Sequence, residues 1–339
     1  MKAILSPALA LALFAGLAGT AHAQLPPAPG ESGTKIQLES RPVASFDSRD
    51  PERREFGALV FRGGIELIST YQGFGGISAI RVDAKGEKFL AVSDRGRWLR
   101  GRIMYQAGTP KSVADAEMAP MLAWDGKPLA LRGWFDTESL AEDGGTLYVG
   151  IERVNQIVKF DYGKDGLAAL GEPIPVPPGI KSLPFNKGLE ALAFVPREMP
   201  LGGTLIAISE RGLDDKGNIR AFLIGGPTPG DFAFTRSQDF DITDAAVTPG
   251  QELLILERSF SLVRGPGMRI RRFSLAAIKP GAVLEGAVVF EADRNYQIDN
   301  MEGLAVHRTP EGETVLTLIS DDNFNPLQRT LLLQFTLTR

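Results

Sequence analysis

The sequence predicts an all-β fold, a β-propeller of four-stranded antiparallel blades, and three observations carry that prediction. A paired-strand unit recurs five times, its period is near 56 residues, and the two chain ends together supply the length of one more interval. The first strand of the unit reads GGISAIRV at 75–82, DTESLAED at 136–143, KGLEALAF at 187–194, DITDAAVT at 241–248 and NMEGLAVH at 300–307. The second reads FLAVSDRG at 89–96, LYVGIERV at 147–154, LIAISERG at 205–212, LLILERSF at 253–260 and LTLISDDN at 316–323. Aligned first-strand positions Ser78, Glu138, Glu190, Thr243 and Glu302 are 60, 52, 53 and 59 residues apart. The 37 residues from Glu302 to Arg339 and the 22 from Phe56 to Ser78 make 59, so the circle closes with five units. A sixth blade stays open only if 99–135 hides a unit, and that segment lacks the paired motif.

In chain order, Lys2, the apolar run 4–17 and Ala21-His22-Ala23 form the three zones of a secretory signal. Residues 1–23 are therefore expected to be removed near Ala23, leaving a periplasmic or secreted protein. No later stretch holds 18 uncharged apolar residues, so no stable membrane insertion is expected. Residues 24–55, from QLPPAPGESG to RDPERREF, are rich in Pro, Gly and charge and read as a flexible lead-in. Residues 56–339 read as a single propeller domain. Within it, 56–70 alternates and is predicted to complete the last blade and cover its edge. Third strands are predicted at 98–105, 156–162, 218–224, 268–275 and 329–337, with a weaker fourth such as 287–291. Residues 106–130 read as an insertion, with VADAEM a helical turn. No long uniform helix is evident, which argues against alternating strand–helix folds.

Composition removes several functions. Without Lys2 the mature chain carries 36 Lys and Arg against 41 Asp and Glu, a net charge of −5, which gives no general attraction to nucleic acid or anionic membranes. It has no Cys, so no disulfide contributes. Its only imidazole is His307, which excludes chemistry that needs two histidines. His307 lies towards the far end of its strand from Glu302, and no G-x-S-x-G occurs, so a serine triad or a carboxylic esterase is disfavoured.

First strands line the channel of a propeller, so Ser78, Glu138, Glu190, Thr243 and Glu302 are expected to converge on the axis. All five carry side-chain oxygen, and carboxylates forced together raise one another's pKa unless a cation sits among them. Hard oxygen donors without nitrogen or sulfur select calcium, with magnesium or manganese behind it. The alternative is that these residues cap strand ends or bond the neighbouring blade. The second strands deliver acid–arginine pairs to the same face: Asp94-Arg95, Glu152-Arg153, Glu210-Arg211 and Glu257-Arg258. Arg95, Arg97, Arg153, Arg211 and Arg258 are the candidate anion clamp, unless they serve only to pair with the adjacent acids. The fifth blade offers Asp321-Asp322 with no arginine, so Asp321, Asp322 and Glu210 are the candidate catalytic carboxylates.

The phrases FGGISAI, GLEALAF with LIAISERG, and DNMEGLAV with LISDDNFNPLQRTLLLQF resemble the exported bacterial phytase-like proteins, the "esterase-like activity of phytase" family, over residues 56–339. That resemblance implies a secreted propeller linked to phosphoester hydrolysis. The ring Ser78, Glu138, Glu190, Thr243, Glu302 is also similar to the Ser/Glu ring around the central calcium of five-bladed calcium-activated nucleotidases, the apyrases, with Thr243 in place of a serine. This second likeness implies a calcium site at those positions alone. The expected protein is a monomeric, calcium-dependent phosphoric ester hydrolase acting on a small phosphorylated substrate; the alternative is a non-catalytic propeller that binds an anion or a partner protein through the same face.

Overall fold

The computed structural model describes residues 33–236 and 239–338. The segment assigned to a signal, 1–23, lies outside the described residues, as does the start of the lead-in. Five small antiparallel sheets form a ring, so the propeller has five blades. The inner strands are Ile77–Val82, Thr137–Asp143, Leu189–Phe194, Asp241–Val247 and Asn300–Arg308. The second strands are Lys88–Ser93, Thr146–Ile151, Thr204–Leu213, Glu252–Ser261 and Thr314–Asp321, and the third are Arg97–Gln106, Gln156–Asp161, Ile219–Gly225, Gly265–Ser274 and Thr330–Leu337. Outer strands follow at Thr109–Pro120, Leu170–Pro173, Gly230–Phe234 and Ala287–Ala292, and the outer strand of blade 5 is Leu59–Ile68.

Ring closure is the antiparallel pairing of Leu59–Ile68 with Thr330–Leu337, the N-terminal strand finishing the last blade. Five apolar clusters fill the five junctions between neighbouring blades. The junction of blades 4 and 5 carries the most aromatic of them, with the Phe46 ring against those of Phe56, Phe61 and Phe335. Each junction buries both partners' alternate residues, which is why the second strands read as apolar runs rather than as strict alternation. Inner strands are rich in small residues because they crowd near the axis. A Cβ at Gly303 would lie 3.0 Å from the backbone nitrogen of Ile80 in the neighbouring blade.

Two expectations are corrected. The lead-in is not flexible from residue 33 onward: Thr34–Lys35 pairs with Thr109–Pro120, and Glu39–Val43 pairs along Leu59–Ile68. Ile36 and Leu38 supply the apolar anchors that the Pro, Gly and charge content of this stretch obscures. The segment 106–130 is not an insertion: residues 109–120, VADAEM included, form the outer strand of blade 1. Its alanines, Asp115 and Glu117 have low strand propensity, and cross-strand pairing overrides it.

Halfway down the channel one side chain crosses the axis. Arg81, on inner strand 1, forms a bidentate pair with Asp244 of blade 4 (2.9 and 3.1 Å) and donates to the carbonyls of Leu192 in blade 3 (2.9 Å) and Leu304 in blade 5 (3.0 Å). Asp244 is completely buried and also accepts the N–H groups of Leu304 and Ala245, both at 2.8 Å. This junction ties four of the five blades.

Candidate functional site

Each inner strand breaks register with its second strand at one residue near the mouth. The breaks fall between Ile77 and Ala79, Thr137 and Ser139, Leu189 and Ala191, Ile242 and Asp244, and Met301 and Gly303. The residues skipped are Ser78, Glu138, Glu190, Thr243 and Glu302. A bulge inserts one residue without a partner and re-aims its side chain, so the same local device sets all five ring positions. Glu138 is half-buried and the other four are buried. The two hydroxyls also bond backbone: Ser78 donates to the Gly76 carbonyl two residues back (3.3 Å) and Thr243 to the Met301 carbonyl of the neighbouring blade (3.1 Å), leaving oxygen lone pairs for another partner.

The closest acidic group draws on both tiers. Glu190 of the ring and Glu152 and Glu210 of the second strands bring carboxylate oxygens within 4.8 Å of one another. Glu152 accepts the Gly188 N–H at 2.7 Å, and Glu210 accepts two bonds from Lys187 Nζ at 2.9 and 2.8 Å. Arg258 sits between Glu302 (3.1 Å) and Glu210 (3.7 Å), and Asn300 donates to Glu302 at 2.8 Å. Five carboxylates thus meet two cations, Lys187 and Arg258. Glu138, Glu152 and Glu190 have no cation in ion-pair contact among the described residues.

Electrostatics follow from that imbalance. Burial, then the charges of Glu302 and Asp94, push the Glu138 carboxyl well above the ordinary range; burial, then Glu138 and Glu210, do the same to Glu190. Burial takes Glu302 up to about 8 against the opposing pull of Arg258, and Glu152 up to about 7 against the Gly188 N–H. These reciprocal influences place the ring glutamates in one electrostatic unit. The donors are all carboxyl and hydroxyl oxygen, which suits a hard divalent cation.

The arginines divide into two kinds. Arg211 forms a forked pair with Asp241, and Arg258 is committed to Glu302, Glu210 and Asn300. Arg95 instead lies 3.3 Å from the centre of the Phe324 ring, and Arg153 stacks on Phe135 at 4.3 Å with Phe185 beyond it at 5.6 Å. Arg97 reaches the Tyr71 hydroxyl at 3.4 Å. Neither Arg95, Arg97 nor Arg153 makes an ion pair among the described residues, and aromatic planes hold Arg95 and Arg153. Glu257 does not join them: it turns into blade 4, where Arg269 and Arg271 hold it at 2.7 and 2.5 Å.

The two aspartates of blade 5 differ as well. Asp322 is consumed as a loop pin, its Oδ1 accepting the N–H groups of Gly76 and Phe324 and its Oδ2 the Thr330 hydroxyl. This fixes the FGG motif, since Gly76 has φ +63° and a Cβ there would sit 2.3 Å from Asp94 Oδ1. Asp321 is buried and accepts one bond from the Asn323 N–H at 2.7 Å, and burial raises its carboxyl to about 6. Asp94, pushed up to about 7 by burial and then by Asp321, stands beside it. The sequence reading missed Lys187, Asn300, Phe135, Phe185 and Phe324 as site residues. All lie in loops or at strand ends, and only the FGG and GLEALAF motifs beside them mark the place. His307 packs against Gly86 at the opposite end of its strand, away from the mouth.

A cavity of about 830 Å³ lies elsewhere, in the groove between blades 1 and 2, lined by Lys35, Arg102, Glu142 and Tyr162 among others. Its lining sets Asp83, Asp115, Glu117 and Glu142 among Lys35, Arg81, Arg100 and Arg102, and among the described residues no three of its carboxylates lie within metal-ligand distance, so the geometry of the mouth outweighs the size of this groove.

A model of the phytase-like family, described as the esterase-like activity of phytase, matches residues 72–324. No curated protein matches the chain significantly. Among solved structures, the chain is similar to the WD40 domain of Neurospora crassa Pan2 (13% identity, 85% of this chain and 98% of that one, TM-score 0.43). It is also similar to Myxococcus xanthus glutaminyl cyclase (11% identity, 78% and 92%, TM-score 0.40) and to a Bacteroides caccae protein of unknown function (9% identity, 71% and 67%, TM-score 0.33).

Proposed function

The chain belongs to the phytase-like family, that of the esterase-like activity of phytase, and from this premise we propose an exported, calcium-dependent phosphoric ester hydrolase acting at the propeller mouth. The observation that carries the reading is the surplus of carboxylate, four buried and Glu138 half-buried: Glu138, Glu152, Glu190, Glu210 and Glu302 against Lys187 and Arg258 in ion-pair contact among the described residues. Glu152, Glu190 and Glu210 would hold the ion, with Glu138 and Glu302 contributing charge around it and Ser78 and Thr243 their lone pairs. Bound there, calcium supplies charge neutralisation and polarises a phosphoryl oxygen.

The chain's own groups supply the remaining functions. Arg95 and Arg153, stacked and unpaired, donate to the non-bridging oxygens of a phosphoester. The free oxygen of Asp321, with a carboxyl poised at about 6, accepts the proton of a water that attacks phosphorus. Asp322 holds the loop rather than the water.

A second reading is a non-catalytic propeller that binds an anion, and it is favoured by the commitment of Arg211 and Arg258 to carboxylates. Metal analysis of the purified protein, joined to assays on phosphomonoesters, diesters and nucleotides with and without chelator, decides between them. The expected result is a bound divalent ion and turnover that drops by about a hundredfold or more on chelation. Asp321→Asn should keep phosphate binding and lose turnover. A metal-free protein without chelator-sensitive turnover sinks the hydrolase reading.

A further inference from the structure

The two cations that meet the mouth carboxylates are held in different ways. Arg258 is fixed from three sides, by Glu302 at 3.1 Å, Glu210 at 3.7 Å and Asn300 at 3.0 Å. Its planar fork spans all three, so leaving one partner means leaving the others. Lys187 has a single tether: Nζ reaches the two oxygens of Glu210 at 2.9 and 2.8 Å and makes no other ion pair among the described residues. The Lys187 side chain is 38% exposed and that of Glu210 only 3%. A flexible four-carbon stem ending in a point charge at the solvent boundary can swing outward, whereas the carboxylate beneath it cannot.

Glu210 is also one of the three carboxylates whose oxygens lie within 4.8 Å of one another. Nζ bonds both of its oxygens, so whichever one faces Glu152 and Glu190 already carries the ammonium charge. A divalent ion held by this group and the Lys187 ammonium are therefore two cations drawn to the same oxygens, and each weakens the hold on the other. The outward path of Nζ leads to the arginine rim. Lys187 stands two residues after Phe185, the ring that Arg153 approaches at 5.6 Å. Its backbone is pinned, since its carbonyl accepts the Arg211 N–H at 3.1 Å and the next N–H, that of Gly188, donates to Glu152 at 2.7 Å. Only the side chain has room to change partner.

We propose that Lys187 is a displaceable counter-ion: its ammonium holds Glu210 in metal-free protein, a bound divalent ion releases it, and the released ammonium joins Arg153 in holding an anion at the rim. The inference rests on the divalent site proposed above and deepens it by coupling ion binding to anion binding. It is tested by calorimetric titration of chelator-treated protein with calcium, and by inorganic phosphate binding with calcium and under chelator, in wild type, Lys187→Met and Lys187→Arg. Lys187→Met should bind calcium about tenfold tighter, and Lys187→Arg, whose fork grips both Glu210 oxygens, about threefold weaker. Phosphate affinity of Lys187→Met should fall about tenfold with calcium present and less than about threefold under chelator. A Lys187→Arg protein that binds calcium as the wild type does, or phosphate losses in Lys187→Met that are equal with and without calcium, overturns the proposal, because a fixed charge accounts for either result. Absence of calcium binding in all three proteins sinks the divalent site itself and this inference with it.

Discussion

Two levels of one channel handle buried charge in opposite ways. At the lower level Asp244 is fully enclosed, and both its oxygens are met by Arg81 and by two backbone N–H groups. Burial still raises its carboxyl, with Arg81 the largest opposing influence. At the mouth five glutamates face two cations, and three of the five have no cation in ion-pair contact among the described residues. Burial is common to both levels; balance is not. A closed ion pair reads as scaffold, and a surplus of one sign reads as a site prepared for something not part of the chain.

The comparison breaks most visibly at Arg81. Arg81→Met leaves Asp244 buried without its partner and should cost about 3–5 kcal/mol, lowering the melting temperature by roughly 6–15 °C, while divalent-ion affinity at the mouth changes little. A variant that melts with the wild type would show that the lower level is not a closed pair.

The mouth should show its imbalance in pH dependence. In metal-free protein the folded values of Asp321 (about 6), Asp94 and Glu152 (about 7) and Glu302 (about 8) exceed the ordinary 3.8 and 4.5. Groups raised in this way contribute stability that is fully present below the unfolded values and is lost as pH rises through the folded ones. Each unit is worth roughly 1.4 kcal/mol, discounted where the groups are coupled. Thermal melts under chelator should therefore fall from pH 5 to pH 8, and saturating calcium should remove that slope. A slope that chelator and calcium leave unchanged would place its origin outside the mouth.

The smallest effect sharpens the contrast by sign. Glu190→Gln removes a carboxyl whose ionisation burial and its neighbours oppose, and should raise metal-free stability at neutral pH by about 1 kcal/mol while weakening metal-induced stabilisation. Glu257→Gln, in the paired cluster with Arg269 and Arg271, should lower stability instead. Equal signs in the two melts would remove the distinction.

Much of the architecture was legible because each blade repeats the same pattern. The 56-residue period, the inner, second and third strands, and the closing role of 56–70 were all readable as alternation and spacing. The outer strand at Thr109–Pro120 was not, because its propensity is poor and only its neighbour makes it a strand. In the inner strands, alignment of repeats picked out the five bulged residues, since a bulge at the same place in every blade keeps the positions equivalent. It could not say which member of each acid–arginine pair turns inward. That depends on what the backbone does after the second strand: a 3-10 turn at Glu152–Val154, a continuing strand at Glu210, and a long hairpin beyond Glu257. Arg81 was invisible for a different reason, since a single arginine in an alternating strand looks like any solvent-facing residue.

A residue that the ladder skips owes its neighbours no main-chain bond, so the sheet is indifferent to what it carries. The five register breaks therefore uncouple chemistry from architecture: one amino acid per blade can be rewritten without asking the frame to refold. With an ion bound as proposed, single substitutions at these positions would retune the mouth blade by blade.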